Sequence, residues 1–170
     1  MQKSLSQQLP HVYRLALRLC RDQTLAEDLT QETMLKAIRK IDQLESPERL
    51  RVWLLQILSN TWRDHVRKPG SRRTQTLDQE PVEQTTAPSE ISEQRDELQL
   101  ALDAMNALPE KQRAVLHLFA VEELSLAEIG EILDMKPNTA KVNLFHARQA
   151  MRRKLPEMAG EKTNQAEVSK

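Results

Sequence analysis

Two stretches of the chain carry apolar residues at helical spacing, and a polar stretch without that spacing lies between them. In residues 1–68, apolar side chains recur every three or four positions in three successive series, which predicts three amphipathic helices. The series are Leu5, Leu9, Val12, Ala16 and Leu19, then Ala26, Leu29, Met34, Ala37 and Ile41, then Leu50, Trp53, Leu54, Ile57 and Leu58. We expect a Thr24–Glu27 capping box to open the second helix, and Ser46 with Pro47 to open the third.

Residues 94–158 form the second predicted helical block. The apolar stripe of its first helix is formed by Leu98, Leu102, Met105 and Leu108. The next helix begins at Pro109, and its inward apolar face is formed by Val115, Leu116, Leu118 and Phe119. Residues 69–93 are polar and acidic and have too few apolar side chains to bury a face, which indicates a flexible linker. Residues 159–170 are predicted to be a disordered tail. The expected fold is all-α, with two small helical domains joined by the linker.

The segment 125–154 has the pattern of a helix-turn-helix. Ser125 and Glu128 form a second predicted capping box, and a turn over residues 134–136 precedes Pro137, which suits the first position of a helix. That second helix has an apolar side formed by Ala140, Leu144 and Ala147. Its remaining faces carry short polar, basic and apolar side chains, the types that meet base edges and phosphates in a DNA major groove. The alternative is an ordinary basic hairpin in a helical bundle.

The formal net charge of zero conceals strong local charge. Residues 1–73 hold 14 Lys and Arg against 8 Asp and Glu, whereas residues 74–100 hold 1 against 7. Residues 122–134 contain five acids and no base, and residues 135–155 contain six bases and no acid. A polyanion responds to such local asymmetry and not to the total, so the basic segments remain candidates for nucleic-acid contact.

Composition excludes several other classes. Aromatic residues make up 3% of the chain and there are three Gly, which argues against a β-sandwich or barrel. The single Cys20 allows no internal disulfide and is expected to be a small buried apolar residue. Four His without metal-ligand spacing predict no metal site or cofactor, and no catalytic motif indicates an enzyme. No apolar run reaches the roughly 18 residues of a membrane span, so a cytoplasmic protein is expected.

The second predicted helix has polar residues and one leucine on its outer side. Asp28, Gln31, Glu32 and Leu35 fall together there by helical geometry, opposite the apolar stripe. The residues alone leave two interpretations open. Leu35 is either a single exposed leucine, which proteins tolerate, or the centre of a protein contact.

Motifs in both blocks resemble one family. "AEDLTQETMLKAIRKI" followed by "RVWLLQILSNTWRDHVRK" resembles region 2 of the extracytoplasmic-function (ECF) sigma factors, members of the sigma-70 family. "LPEKQRAVLHLFAVEELSLAEIGEILDMKPNTAKVNLFHARQAMRRKL" resembles their region 4. The resemblance implies a promoter-specificity subunit that is not an enzyme, with core RNA polymerase (the β′ clamp coiled coil and the β flap), promoter DNA and an anti-sigma factor as partners. We expect the two domains of the free protein to move about residues 69–92.

The resemblance assigns residues in region 2. It implies that Asp28, Gln31 and Glu32 bind the β′ clamp, and Leu35 joins them by its position. The loop 42–50 occupies the place where such factors hold a base flipped out of the −10 element. The candidate −10 contacts are Glu45, Ser46, Arg49, Asn60, Trp62, Arg63, Arg67 and Lys68, the last two for phosphates. For Trp62, base stacking and core packing both remain open; for Trp53, core packing is favoured.

The resemblance also assigns residues in region 4. Lys141, Val142, Phe145 and His146 take the base-facing −35 positions, and Asn138, Thr139 and Arg148 take the positions that touch the DNA backbone. The run "NTAKVN" at 138–143 departs from the family's usual Gly-Thr-Val and Lys/Arg-Ser-Arg. The −35 sequence is therefore not predicted.

Two other functions are consistent with parts of the pattern. A plain helix-turn-helix regulator would bind a palindromic operator as a dimer, but it leaves the "DLTQE" face without a role. An adaptor that keeps only the polymerase-binding face would not need the six bases of residues 135–155.

Overall fold

The computed structural model describes residues 2–68 and 92–155. Within these ranges the chain is helical and has no strand, as the sequence predicts. Its α-helices are α1 (Gln2–Cys20), α2 (Gln23–Arg39), α3 (Leu50–Arg67), α4 (Ser92–Asn106), α5 (Glu110–Ala120), α6 (Leu126–Leu133) and α7 (Pro137–Lys154). Two 3₁₀ turns, Ile41–Gln43 and Pro47–Arg49, join α2 to α3. We call residues 2–68 the first unit and residues 92–155 the second unit.

The first unit is a three-helix bundle in which α1, α2 and α3 pack against one another. Each of the three predicted apolar stripes faces this core, with buried members Leu5, Val12, Ala16, Leu19, Ala26, Leu29, Ala37, Leu50, Leu54 and Leu58. Leu9 is an exception: its side chain is 46% exposed, and Leu15 is fully buried on the same helix. Trp53 packs against the core, as the sequence favours, although it is only partly buried.

Helix α2 begins one residue before the predicted capping box. Asp22 is the N-cap residue, and its carboxylate accepts a hydrogen bond from the backbone N–H of Leu25 at 2.9 Å. The predicted Thr24–Glu27 capping box is therefore wrong, and Glu27 accepts instead from the side-chain amide of Gln23. The preceding Arg21 takes a left-handed conformation with φ 58°, which ends α1 and brings Asp22 into the extended conformation that an N-cap needs.

Replacing the cap tests this assignment directly. We expect Asp22→Ala to lower the free energy of unfolding by about 1 kcal/mol, because the first turn of α2 loses its side-chain acceptor. Thr24→Ala, at an exposed position inside the same helix, should change the free energy of unfolding by less than about 0.5 kcal/mol. Urea denaturation of both variants measures the difference. Equal losses would contradict the Asp22 assignment.

The start of the third helix also differs from its prediction. Ser46 and Pro47 open the 3₁₀ turn Pro47–Arg49, and α3 itself begins at Leu50. The fixed φ of Pro47 suits either kind of first turn, so the sequence locates the entry point but not the helix type.

The second unit confirms the helix-turn-helix. Ser125 and Glu128 form both hydrogen bonds of a capping box, and α6 ends at Leu133, four residues before Pro137 begins α7. Asp134 in the turn has φ 54°, a left-handed conformation that Asp tolerates better than most residues. The predicted apolar side of α7 is buried through Ala140, Leu144 and Ala147. On α4 the prediction for Leu98 is wrong, since its side chain is 60% exposed.

The two units pack against each other: α5 lies on α1, and α6 lies on α3. Buried polar contacts described below join the units in this structure, and the movement of the two domains about residues 69–92 stays a prediction. The predicted linker at 69–93 and the tail at 159–170 lie outside the described residues, apart from the first two residues of α4.

Candidate functional site

The outer side of α2 borders an apolar groove. Asp28, Gln31, Glu32 and Leu35 are all exposed, as the helical geometry predicts, and Leu35 is 55% exposed. The groove, of about 460 Å³, is lined by Gln31 and Leu35 together with Leu9, Tyr13, Glu27, Thr30, Met34 and Ile38. Leu35 is thus one of three neighbouring exposed apolar side chains and not an isolated leucine.

Glu27, Thr30 and Gln31 are the polar residues that line this groove, and Asp28 and Glu32 lie beside Gln31 on the same helix. Glu32 pairs with Lys36 at 2.8 Å, one helical turn further along the same helix. An apolar centre within a polar rim is the usual composition of a protein–protein interface. The contributions of Leu9 and Ile38 were missed by the sequence analysis, which assigned Leu9 to the core because its spacing fits the buried stripe.

The loop before α3 forms a second, more polar hollow. Glu45 and Arg49, two of the predicted −10 contacts, line a space of about 330 Å³ with Gln43, Leu44, Val52, Trp53, Gln56 and Glu131. Ser46 lies in the same loop and is partly buried. Trp53 therefore has one side on the core and another on this hollow.

Trp62 does not face solvent in this arrangement. Its side chain is 4% exposed, its indole N–H donates to Glu110 at 3.0 Å, and its ring stacks on His65 with centroids 5.9 Å apart. Of the two interpretations that the sequence left open, packing is the one observed. The prediction of Trp62 as a −10 stacking surface is not met here, because α5 supplies the acid that covers it.

Two of the other predicted −10 residues, Arg49 before α3 and Arg63 on it, contact the second unit. Arg63 donates to Asn60 and, at 2.7 Å, to Asp134 of the helix-turn-helix. Arg49 pairs with Glu131 of α6. Arg67 and Lys68 are exposed at the end of α3. The structure thus brings Asn60 and Arg63 together, and it pairs Arg49 and Arg63 with carboxylates of the second unit.

The predicted −35 residues share the outer side of α7. All seven are exposed: Asn138, Thr139, Lys141, Val142, Phe145, His146 and Arg148. Phe145 and Val142 are 57% and 54% exposed and lie three residues apart on the helix, so they form a small exposed apolar patch on this side. Arg148 lies over the ring of Phe119 at 4.8 Å, so this predicted backbone contact also makes a cation–π interaction within its own unit.

A buried carboxylate at the junction of the units was missed by the sequence analysis. Glu122 follows α5, and its side chain has no exposed surface. His11 donates to it from Nδ1 at 2.5 Å and Arg14 at 3.2 Å, while Arg51 lies 3.8 Å away. His117 lies 3.7 Å from the same carboxylate, and burial lowers the pKa of His117 to about 4, so this ring is neutral at pH 7.

A buried arginine makes a second connection between the units. Arg113 of α5 is 4% exposed and donates to the backbone carbonyls of Arg18 and Leu19, at the end of α1. It also donates to the carbonyls of Asn106 and Leu108. Burial lowers the pKa of Arg113 to about 10, so the guanidinium is still charged at neutral pH. Some of these carbonyls are at helix C-termini, where the last four C=O groups have no N–H donor within the helix.

Comparison with known proteins agrees with this geometry. Residues 5–73 match the family model "Sigma-70 region 2", and residues 98–151 match "Sigma-70, region 4". The RNA polymerase sigma factor SigV of Bacillus subtilis is 32% identical over 140 residues, which cover 82% of this chain and 81% of SigV.

The chain belongs to the ECF sigma factors of the sigma-70 family. As such it directs core RNA polymerase to promoters and has no catalytic step of its own. The ECF sigma factor SigE of Mycolicibacterium smegmatis is 35% identical over 166 residues, 94% of this chain, and the chain spans only 63% of that relative's length.

A solved sigma factor structure has the same fold over most of the chain. It is the sigma factor RpoE in complex with the anti-sigma factor NepR from Bartonella quintana, with a TM-score of 0.74, 27% identity, and coverage of 92% of this chain and 96% of that one. Over the described parts of this sigma factor, no helix is long and apolar enough to cross a membrane. The same ranges contain no cluster of three or more metal-ligating side chains suited to a metal ion.

Proposed function

We propose that this sigma factor binds the β′ clamp coiled coil of core RNA polymerase through the groove beside α2. The observation that carries the proposal is the run of exposed apolar side chains at Leu9, Leu35 and Ile38, bordered by the polar side of α2. Asp28, Gln31 and Glu32 form the polar rim, and Leu35 is the side chain that enters the contact. This assignment explains why a leucine lies among three polar residues on an exposed helix face.

Promoter reading is divided between the two units. In the first unit, the hollow around Glu45, Ser46 and Arg49 accepts a flipped −10 base, and Asn60 and Arg63 contact the unpaired strand. Arg67 and Lys68, exposed at the end of α3, hold phosphates. In the second unit, Lys141, Val142, Phe145 and His146 face the −35 bases in the major groove. Asn138, Thr139 and Arg148 meet the DNA backbone, the first two at the start of α7, where a helix N-terminus attracts phosphate.

Regulation by an anti-sigma factor is the third part of the proposal. A structurally similar sigma factor has been solved in complex with one. Because polymerase and promoter DNA are found in the bacterial cytoplasm, we propose that this chain acts there, and that the β flap of the polymerase contacts the second unit.

The polymerase contact is tested by changing the outer side of α2. A variant with Asp28→Ala, Gln31→Ala and Leu35→Ala should lose co-elution with sigma-free bacterial core polymerase on size exclusion. We expect its affinity to fall by at least about a hundredfold, because truncating the centre of an interface removes most of its binding energy. All three positions are exposed, so circular dichroism and thermal unfolding should change little.

A matched control changes the same kinds of side chain elsewhere. Gln7→Ala, Asp64→Ala and Leu100→Ala remove one amide, one acid and one exposed leucine outside the groove. This control should co-elute like the wild-type protein. If the wild type does not bind the polymerase and instead binds duplex DNA as a dimer, the chain acts as a plain helix-turn-helix regulator.

A further inference from the structure

Helix α7 carries a small apolar patch on the side that faces away from its own unit. Val142 and Phe145 are 54% and 57% exposed, and they lie three residues apart, so their side chains are neighbours on the helix surface. The buried side of α7 is formed by Ala140, Leu144 and Ala147. We call Val142 and Phe145 the α7 patch. Because burial of apolar surface is favourable, the α7 patch is suited to an apolar group outside the chain.

The polar side chains nearest to the α7 patch are held by contacts within the second unit. The side-chain amide of Asn143 donates to the backbone carbonyl of Thr139 at 2.9 Å, one helical turn earlier. The guanidinium of Arg148 lies over the ring of Phe119, 4.8 Å from the ring centroid. The centre of this side of α7 therefore presents carbon atoms, and the nearest amide is engaged by its own helix.

The surroundings of the α7 patch favour nucleic acid over a protein as its partner. Residues 135–155 contain six bases and no acid, and a polyanion is attracted to such a local excess of positive charge. Two side chains are also too few for a specific protein–protein interface, which involves about 20–30 residues on each partner. A base edge, in contrast, is a target that a single side chain can contact. The α7 patch is therefore suited to an apolar group on a base edge.

The major groove of DNA offers one such group. Thymine carries a C5-methyl there, whereas the edges of the other bases present hydrogen-bond donors and acceptors. We propose that Val142 and Phe145 contact thymine methyl groups, so that thymines opposite the α7 patch specify the −35 element of this sigma factor. This inference rests on the −35 assignment made above, and it adds which base the two apolar residues select.

Replacing thymine by uracil tests the inference, because uracil keeps every hydrogen-bonding group of thymine and lacks only the methyl. Duplexes with a randomised segment are amplified with either dTTP or dUTP and selected on the full-length sigma factor in complex with core polymerase. Thymine should be enriched at positions where uracil is not. In the enriched duplex, each thymine-to-uracil replacement at such a position should weaken binding about fourfold, the factor that corresponds to burial of one methyl group.

Removing the two apolar side chains identifies the thymines that they contact. In a Val142→Ala, Phe145→Ala double variant, thymine and uracil duplexes should bind within about twofold of each other, because groups in direct contact have non-additive effects. Val121→Ala is the matched control, since Val121 is 46% exposed at the end of α5 and lies outside α7. It should keep the preference of about fourfold for thymine. Each measurement compares two duplexes on one protein, so a general loss of affinity or stability does not imitate the result.

Lys141→Ala distinguishes failure of this inference from failure of the −35 assignment. Lys141 is exposed beside Val142, and loss of its contact should weaken binding of thymine and uracil duplexes alike by at least about fivefold. If uracil has no effect while Lys141→Ala weakens binding, α7 contacts the −35 duplex and the methyl inference is wrong. A thymine preference that persists in the double variant would also overturn the inference, because the methyl is then contacted elsewhere. If neither uracil nor Lys141→Ala alters binding, the −35 assignment is wrong and the inference fails with it.

Discussion

Arg113→Met is expected to lower the free energy of unfolding by about 3 kcal/mol, since breaking a buried hydrogen-bond network is among the costliest single changes. The methionine fills the space of the arginine stem but donates no hydrogen bond. Four backbone carbonyls then lose their donor, two at the end of α1, one at the end of α4 and one between α4 and α5. The loss affects both units at once, because one guanidinium serves acceptors in each.

Urea denaturation followed by circular dichroism measures this loss. Lys111→Met is the matched control: it removes a positive charge from the same helix at an exposed position. The control should stay within about 0.5 kcal/mol of the parent. If both variants lose the same amount, the effect comes from net charge and not from the carbonyls that Arg113 holds.

Gly130→Ala is expected to destabilise the second unit by about 2 kcal/mol, within the range that overpacking costs in a tight core. A Cβ added at Gly130 would lie 2.6 Å from the backbone carbonyl oxygen of Met135. That oxygen belongs to the turn between α6 and α7, and backbone there cannot move without displacing the DNA-reading helix. Helix propensity alone predicts the opposite sign, a gain of about 1 kcal/mol for Ala over Gly.

The reverse change in the same helix provides the comparison. Ala127 is exposed in α6, so Ala127→Gly should cost only the propensity difference of about 1 kcal/mol. Thermal unfolding of the two variants separates the effects. A stabilised Gly130→Ala variant would mean that the turn has room that the described geometry does not contain.

Local patterns predicted the helix-turn-helix well because its signals lie close together in the chain. The Ser125 capping box, the turn at Asp134 and Pro137 each determine the backbone only within one or two helical turns of their own position. The start of α2 was less predictable, because Asp22 and Thr24 are both good N-cap residues. The backbone conformation selects Asp22: Arg21 is left-handed, Asp22 is extended, and α2 begins at Gln23.

The sequence predicted which side chains of the candidate site lie on the exposed face of each helix, but not which side chains of one unit contact the other. Helical geometry placed Leu35 and the residues of α7 on exposed sides correctly. It gave no sign that Glu122 would meet His11, 111 residues earlier, or that Asp134 would meet Arg63, 71 residues earlier. Charge segments in the sequence revealed acidic and basic runs, but only the packing of α6 on α3 determined which runs meet. Trp62 likewise became a buried hydrogen-bond donor because Glu110 of α5, 48 residues later, lies beside its indole N–H.

The position of Arg113 also affects how the chain folds during synthesis. The backbone carbonyl of Arg18 accepts a hydrogen bond from the guanidinium of Arg113, which is 95 residues later in the chain. At a typical elongation rate of about 5–20 residues per second, Arg113 is synthesised on the order of 5–20 seconds after Arg18. Over that interval the nascent first unit has water at the end of α1 and a bare basic surface around His11 and Arg14. Arg49 and Arg63 are likewise without their acidic partners, Glu131 and Asp134, until that part of the chain has been synthesised.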